Sequence, residues 1–291
     1  IELNPHLAEA HFNLGTILKY LGNLKEAEIS HRKAIDLKTN YADPHFSLAE
    51  LELLRGDYQY GLENYEYRFK RKKPAFLHCN KKLKRIDIKK LKKGDQLLII
   101  AEQAPGDVIF HMRYLIPLKK QGIEVSFCAL KKLHNLIRDS GIHEQPISPD
   151  ECSLVKDKEW IPLLSLMKYF NVNPNNPIIN SPYISSTERL KKKWQNILSK
   201  EKRPIIGINW QGNPNHERYT HKGRSLSLES FSILVENNDL NFLSLQKGFG
   251  SEQIEKCSFK EHFVSCQELI DDIWDYSETA AIIENCDLII T

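Results

Sequence analysis

The 291-residue chain contains no run approaching about 18 consecutive apolar residues, so no membrane-spanning helix is expected. It carries no signal-peptide pattern at its first residues. Its six cysteines (Cys79, Cys128, Cys152, Cys257, Cys266 and Cys286) never fall at C-x-x-C spacing. That argues against a zinc site or disulfide framework and for free thiols in a reducing, cytoplasmic setting. Charge of one sign is also missing. Forty-one Lys and Arg stand against 38 Asp and Glu, leaving a net +3 that gives no general reason for nucleic-acid binding. The histidines at 31, 45, 134, 143 and 262 are scattered, with no metal-ligand spacing.

What is present is length for about two domains and an internal repeat. Residues 1–69 match themselves at a shift of 34: Phe12 with Phe46, Leu14 with Leu48, Tyr20 with Leu54, Gly22 with Gly56, Ala27 with Gly61. Ile1-Glu2-Leu3 aligns with Ile35-Asp36-Leu37. The period and its N-L-G, L-G-N and E-A strings resemble tetratricopeptide repeats. Helix pairs are expected at 7–21 with 24–37 and at 41–55 with 58–70. Small residues belong where paired helices approach closely, and large ones fill the gaps between pairs. By this alignment the chain opens inside an array, and the repeats offer either a protein-binding groove or a spacer. The boundaries expected are repeats over 1–70 and a basic linker over 71–94. The linker is Lys-rich, and a solvated connection explains it better than a polyanion-binding patch, because only Phe76 interleaves the charges.

After Gly94 the pattern changes to strands alternating with helices. The run Leu97, Leu98, Ile99, Ile100 lacks period-2 alternation, as in a parallel strand covered on both faces. Pro105-Gly106 then turns the chain and Asp107 opens a helix expected over 107–120. A strand at 123–128 and helices near 130–138, 160–170 and 186–199 follow, the last crossing between lobes. A second unit opens with R-P-I-I-G-I-N-W-Q-G-N-P (203–214), a strand and then Asn209, Gln211, Gly212 and Asn213 in a turn. A helix at 228–236, a strand at 241–245, a helix at 277–285 and a strand at 287–291 complete it. The fold expected is α + α/β: a tetratricopeptide α-solenoid, then two Rossmann-like lobes over 95–200 and 201–291, the second truncated.

Four segments together carry a further resemblance. They are A-E-Q-x-x-G-D-x-x-x-x-x-R-Y (101–114), I-G-I-N-W-Q-G-N-P with R-S-L (206–226), S-L-Q-K-G (244–248) and D-Y-S-E-T-A-A-I-I-E-N-C-D-L-I-I-T (275–291). In this order behind the repeats, they resemble bacterial tetratricopeptide-repeat glycosyltransferases. These have the GT-B fold and are related to the lipopolysaccharide heptosyltransferases and distantly to O-GlcNAc transferase. The resemblance implies transfer of a sugar from a nucleotide-sugar donor to a glycan or protein acceptor. It implies inversion and no metal or other cofactor, and no D-x-D string offers a metal site. Asp107 then matches the catalytic base, with Gly106 and His111 on the acceptor side. Asn209, Gln211, Gly212, Asn213, Lys222, Arg224, Gln246, Lys247 and Thr279 match the donor side, where cations and backbone N–H groups offset diphosphate charge. Each has a plainer reading. Asp107 can be a helix N-cap worth about 1 kcal/mol, and His111 a half-buried helix histidine. The loop around Arg218, His221 and Lys222 can be a solvated surface, and Thr279 part of a helix cap. Trp210, at a strand end, is a weaker candidate for donor contact.

Ala104-Pro105 departs from the related sequences by stiffening the turn before Gly106. The donor loop expected after the last strand is absent from the sequence, so this stretch alone is expected to be inactive. The alternative reading is a repeat scaffold with degenerate, non-catalytic lobes that bind a protein partner.

Overall fold

The computed structural model describes residues 4–79, 85–86, 91–156, 158–177, 182–202, 204–217, 223–236 and 239–291. Helices α1 (Ala8–Tyr20), α2 (Leu24–Leu37), α3 (Ala42–Leu54) and α4 (Tyr58–Tyr65) come first. Then follow β1 (Gln96–Ile100), α5 (Pro105–His111), α6 (Leu115–Lys120), β2 (Glu124–Cys128), α7 (His134–Asp139), α8 (Pro149–Leu154), β3 (Glu159–Pro162) and α9 (Leu166–Tyr169). The chain continues through α10 (Glu188–Leu198), β4 (Ile205–Ile208), α11 (Pro214–Glu217), β5 (Asn241–Ser244), α12 (Gln267–Asp271), α13 (Tyr276–Glu284) and β6 (Leu288–Ile290). Two compact units result, one of residues 1–134 with 142–183 and one of 135–141 with 184–291. Among the described residues no helix is long and apolar enough to cross a membrane.

The 34-residue period is repeated in the backbone. Gly22 and Gly56 both take left-handed φ, +81° and +85°, and end α1 and α3. In each turn two backbone bonds reach back to the helix: Asn23 to Leu18 and Gly22 to Lys19, then Asp57 to Glu52 and Gly56 to Leu53. Only glycine enters that conformation without cost, which is why the position is glycine in both turns. α1 packs on α2, and α3 on α4, across small residues. Ala27 and Ala49 are fully buried. A Cβ on Gly15 would come within 2.7 Å of the His31 ring, and one on Gly61 within 2.8 Å of Leu53.

In the first unit β1 is the central strand of a parallel sheet ordered β2-β1-β3. Leu97 to Ile100 are fully buried, as their unbroken apolar run requires. The expected helix over 160–170 begins later. Glu159–Pro162 pairs with β1 instead, Leu97 facing Glu159 and Ile100 facing Pro162. Pro162 is the last residue of β3, which ends the sheet order β2-β1-β3 among the described residues, so its missing N–H breaks no bond in the middle of the sheet. The helix expected over 107–120 is interrupted by a 3-10 turn at Met112–Tyr114. Pro117 is the physical reason, since its ring opposes the carbonyl four residues earlier and it has no N–H to donate.

A buried ionic network fastens α4 to this sheet. Arg68, in the 3-10 turn Glu66–Phe69 after α4, grips Glu102 with two bonds of 2.8 Å. The two side chains are 1% and 0% exposed. Arg68 also donates to Glu66 (3.0 Å) and Ser165 (2.9 Å), and Arg85 pairs with Glu66 and donates to Ser165. Glu102 takes a further bond from the Leu164 N–H. Burial pushes the Glu66 carboxyl up, but Arg68 and Arg85 outweigh it and hold the group below the usual carboxylate range. Part of the basic stretch after the repeats is therefore folded in. Arg85 closes this network and Arg71 pairs with Asp43. The lysines at 81, 82, 84, 89 and 90 lie outside the described residues.

The second unit repeats the topology, with β4 central in a parallel sheet ordered β5-β4-β6. Alternate residues of β4 and β5 enter two cores. Ile205 and Leu243 face Trp194 and Leu198 of α10 and Ala281 and Ile282 of α13. Ile206, Ile208 and Phe242 face Trp210, Leu228 and Phe259. The helix at 188–198 thus belongs to this unit, whereas the first lobe was expected to run to residue 200. The segment after Ser227, expected as an α-helix, is a 3-10 helix at Leu228–Leu234.

Candidate functional site

Each sheet places its first strand in the middle, with the next strand on one side and the third on the other. The chain therefore changes direction beside the carboxyl end of β1 and again beside that of β4. Open parallel sheets bind ligands at such switch points. The two segments singled out in the sequence, 103–107 and 209–213, are the ones that leave these strand ends.

At the end of β1, Gln103 has φ +65°, a conformation uncommon for a residue with a side chain. Its backbone is held on both sides. Its N–H donates to the Phe76 carbonyl (3.0 Å), and its carbonyl accepts from His78 Nε2 (3.0 Å). The chain then enters α5 through Pro105 at its first turn, where the missing N–H costs nothing. Asp107 Oδ2 accepts from the Ala104 N–H at 3.1 Å, so the carboxylate closes the turn and remains partly exposed. Among the described residues nothing lies within 4 Å of a Cβ built on Gly106, which leaves open surface beside Asp107. His111 is only 9% exposed, and its ring Nδ1 bonds the Asp107 carbonyl at 2.7 Å. Burial pushes its pKa down, with the Asp107 carbonyl and charge opposing. His111 is thus a buried helix histidine whose ring is oriented by a backbone carbonyl and not by the Asp107 carboxylate. Glu102, two residues past β1, is committed to Arg68 and is structural. Arg113, within the same motif, lies 4.0 Å over Phe110 and 4.7 Å from the Tyr183 ring, and donates to the Tyr183 hydroxyl. Sequence reasoning gave neither Arg113 nor Tyr183 a role, because only the folded chain brings position 183 back to α5.

At the end of β4, a cavity of about 240 Å3 is lined by Asn209, Gln211, Gly212, Asn213, Gln246 and Lys247, with Leu245 and Phe249. Six of the nine candidate donor residues are thus brought together. Gln246 is 4% exposed, and its amide is fully used. Its Oε1 accepts the N–H groups of Trp210 (3.2 Å) and Gln211 (3.0 Å), and its Nε2 donates to the carbonyls of Gln211 and Phe249. Gln246 therefore ties the loop after β4 to the loop after β5 and shapes the cavity. The Arg224 guanidinium lies against Gly212, where any Cβ would overlap it. It is held loosely by Glu217 at 3.5 Å, half exposed. The Gly212 N–H donates to Ser225 Oγ at 2.9 Å.

Lys247 turns its ammonium away from this cavity. It donates to the Ile270 carbonyl and lies 5.9 Å from the Trp274 ring, in a second cavity of about 620 Å3. Burial lowers its pKa, and Asp271 and Asp272 oppose the shift. Thr279 donates its hydroxyl to the Asp275 carbonyl (2.9 Å) in the first turn of α13, outside both cavities. The cap of α13 is Asp275, whose side chain accepts from the Glu278 N–H. Trp210 is 3% exposed, and its indole N–H has no partner among the described residues. Lys222, with Arg218 and His221, lies outside the described residues. Among those described, no group of three or more His, Cys, Asp or Glu side chains is placed to hold a metal ion. Compared with known proteins, the chain matches no family model, and no curated protein matches it significantly in sequence.

Proposed function

We propose that the chain is part of an inverting, metal-independent glycosyltransferase of GT-B type, carried behind tetratricopeptide repeats. The observation that carries the reading is that six candidate donor residues line one cavity at the switch point of the second sheet, although the Lys247 ammonium turns to the neighbouring cavity. Asp107 stands at the equivalent point of the first sheet.

In this reading the Asp107 carboxylate takes the proton of an acceptor hydroxyl as that oxygen attacks the anomeric carbon of the donor sugar. The bond from that carbon to the nucleoside diphosphate breaks, and the diphosphate leaves with the electron pair. Arg224 offsets its charge, because a half-exposed guanidinium held by one carboxylate 3.5 Å away can turn to a phosphate. Lys222, two residues before Arg224 in the sequence, is the second cation that the resemblance assigns to the donor. The repeats contribute to acceptor or partner binding.

Asp107→Ala in the natural full-length protein tests the assignment. Transfer is expected to fall at least about 100-fold, while thermal stabilisation by UDP-, GDP- or ADP-sugars is kept. Unchanged turnover would remove Asp107 as the base. One observation favours a scaffold instead: the Asp107 carboxylate and the Lys247 ammonium both already serve backbone groups of the protein. On that reading no nucleotide sugar raises the melting temperature, and partner binding survives Asp107→Ala.

A further inference from the structure

The first unit holds a cavity of about 860 Å3 between α4 and α9, whose lining includes neither Asp107 nor His111. Its volume is in the upper part of the range for ligand sites, about 300–1,000 Å3. The partly exposed Ile86, with the edge of Leu62, which is 4% exposed, supplies a small apolar seat. Glu63 and Lys168 stand at its rim with N–O 4.0 Å, the outer limit of an ion pair, and are 61% and 36% exposed. Such a pair contributes little and re-partners easily. Glu66 and Arg85 form a fixed polar wall, because they are bonded to one another and to Ser165.

These charges select the class of ligand. The lining has two acids and two bases, so a polyanion such as a nucleotide or nucleic acid finds no net attraction. A neutral glycan can offer hydroxyls to Glu63 and Lys168, but it brings neither opposite charges for them nor an aliphatic side chain for the apolar seat. A polypeptide with an aliphatic side chain between residues of opposite charge satisfies both the apolar seat and the loose pair. We propose that this cavity seats such a segment, its aliphatic side chain on Leu62 and Ile86, its base against Glu63 and its acid against Lys168. The site does not depend on glycosyl transfer. It does border the buried network, since Glu66 shares Arg68 with Glu102 at the end of β1.

The test is fluorescence polarisation on the full chain with labelled, blocked hexapeptides. Each carries a central leucine flanked by one lysine and one glutamate, in either order. Controls replace the leucine with glycine, and maltohexaose serves as competitor. Saturable binding is expected for one of the two charge orders, weakened about five-fold or more by loss of the leucine side chain. Glu63→Lys and Lys168→Glu are each expected to weaken it about three-fold or more, and the double exchange to favour the opposite charge order. Glu63 is exposed and Lys168 partly so, and their mutual pair is loose, so melting temperatures should stay within about a degree and keep the losses interpretable. Peptides that do not saturate, binding indifferent to both substitutions, or displacement by maltohexaose would each overturn the proposal.

Discussion

A single buried histidine sets a measurable pH dependence. His31 is fully buried in α2, and neither ring nitrogen has a partner among the described residues. Burial, reinforced by Lys19, lowers its pKa to about 4. The unfolded chain binds that proton near pH 6.5, and the folded chain does not until about pH 4. Stability from this residue is therefore complete above about 6.5 and is lost as pH falls toward 4, by up to about 3 kcal/mol. Melting followed from pH 7 to 4.5 should show this loss, and His31→Leu should flatten it. Equal slopes for both proteins would mean that His31 finds a proton acceptor when folded. In the sequence this histidine carried no signal, because its burial follows from Gly15 on α1, sixteen residues away, giving its ring room.

At the scale of elements, the same logic makes Gly61 a packing residue. A Cβ there would meet the Leu53 side chain at 2.8 Å and the Leu53 backbone nitrogen at 3.1 Å. The side chain can shift, but the backbone cannot without parting α3 from α4. Alanine would normally favour a helix by about 1 kcal/mol. Gly61→Ala is instead expected to destabilise by about 1–3 kcal/mol, as overpacking does, read as a lower urea midpoint at unchanged slope. A gain in stability would show that the helices have room to separate. The period of 34 made the first three helices legible to within one residue, because helix spacing and turn glycines are local signals; the fourth, expected to reach residue 70, ends at Tyr65 and passes into the 3-10 turn Glu66–Phe69. The central strands were legible for a related reason, their unbroken apolar runs. β3 was not, since Trp160, Ile161 and Pro162 read equally well as the start of a helix, and only pairing with β1 decides it. The candidate site divides the same way. Residues at the two strand ends could be named from sequence because a strand-turn pattern marks them. The direction of the Lys247 ammonium, the full use of the Gln246 amide and the burial of Trp210 depend on Ile270, Phe249 and the core around Phe242, which no local pattern reveals.

For the molecule as a whole, the buried Arg68–Glu102 pair ties the turn after the helical repeats to the first sheet, and the two are expected to unfold as one cooperative body. Arg68 comes from the turn that ends the repeats, and Glu102 from the turn that leaves β1. Neither charge is tolerable there without the other, and removing one partner of a fully buried pair costs about 3–5 kcal/mol. Arg68→Met leaves Glu102 with the Leu164 N–H as its remaining described donor. Hydrogen exchange should then quicken in α3, α4, β1 and β3 together, while amides of β4, β5 and β6, whose cores contain neither residue, keep their protection. Adding Glu102→Leu to Arg68→Met should recover part of the loss, because an apolar pair needs no counter-charge. If only α4 loosens in the single variant, the network is a local brace and the repeats are separable from the sheet. If α4 and β1 loosen together, a change at the repeat surface reaches the turn that carries Asp107 through two side chains, Arg68 and Glu102. That shared stability would give the repeats leverage over the first strand end without any movement of the second unit.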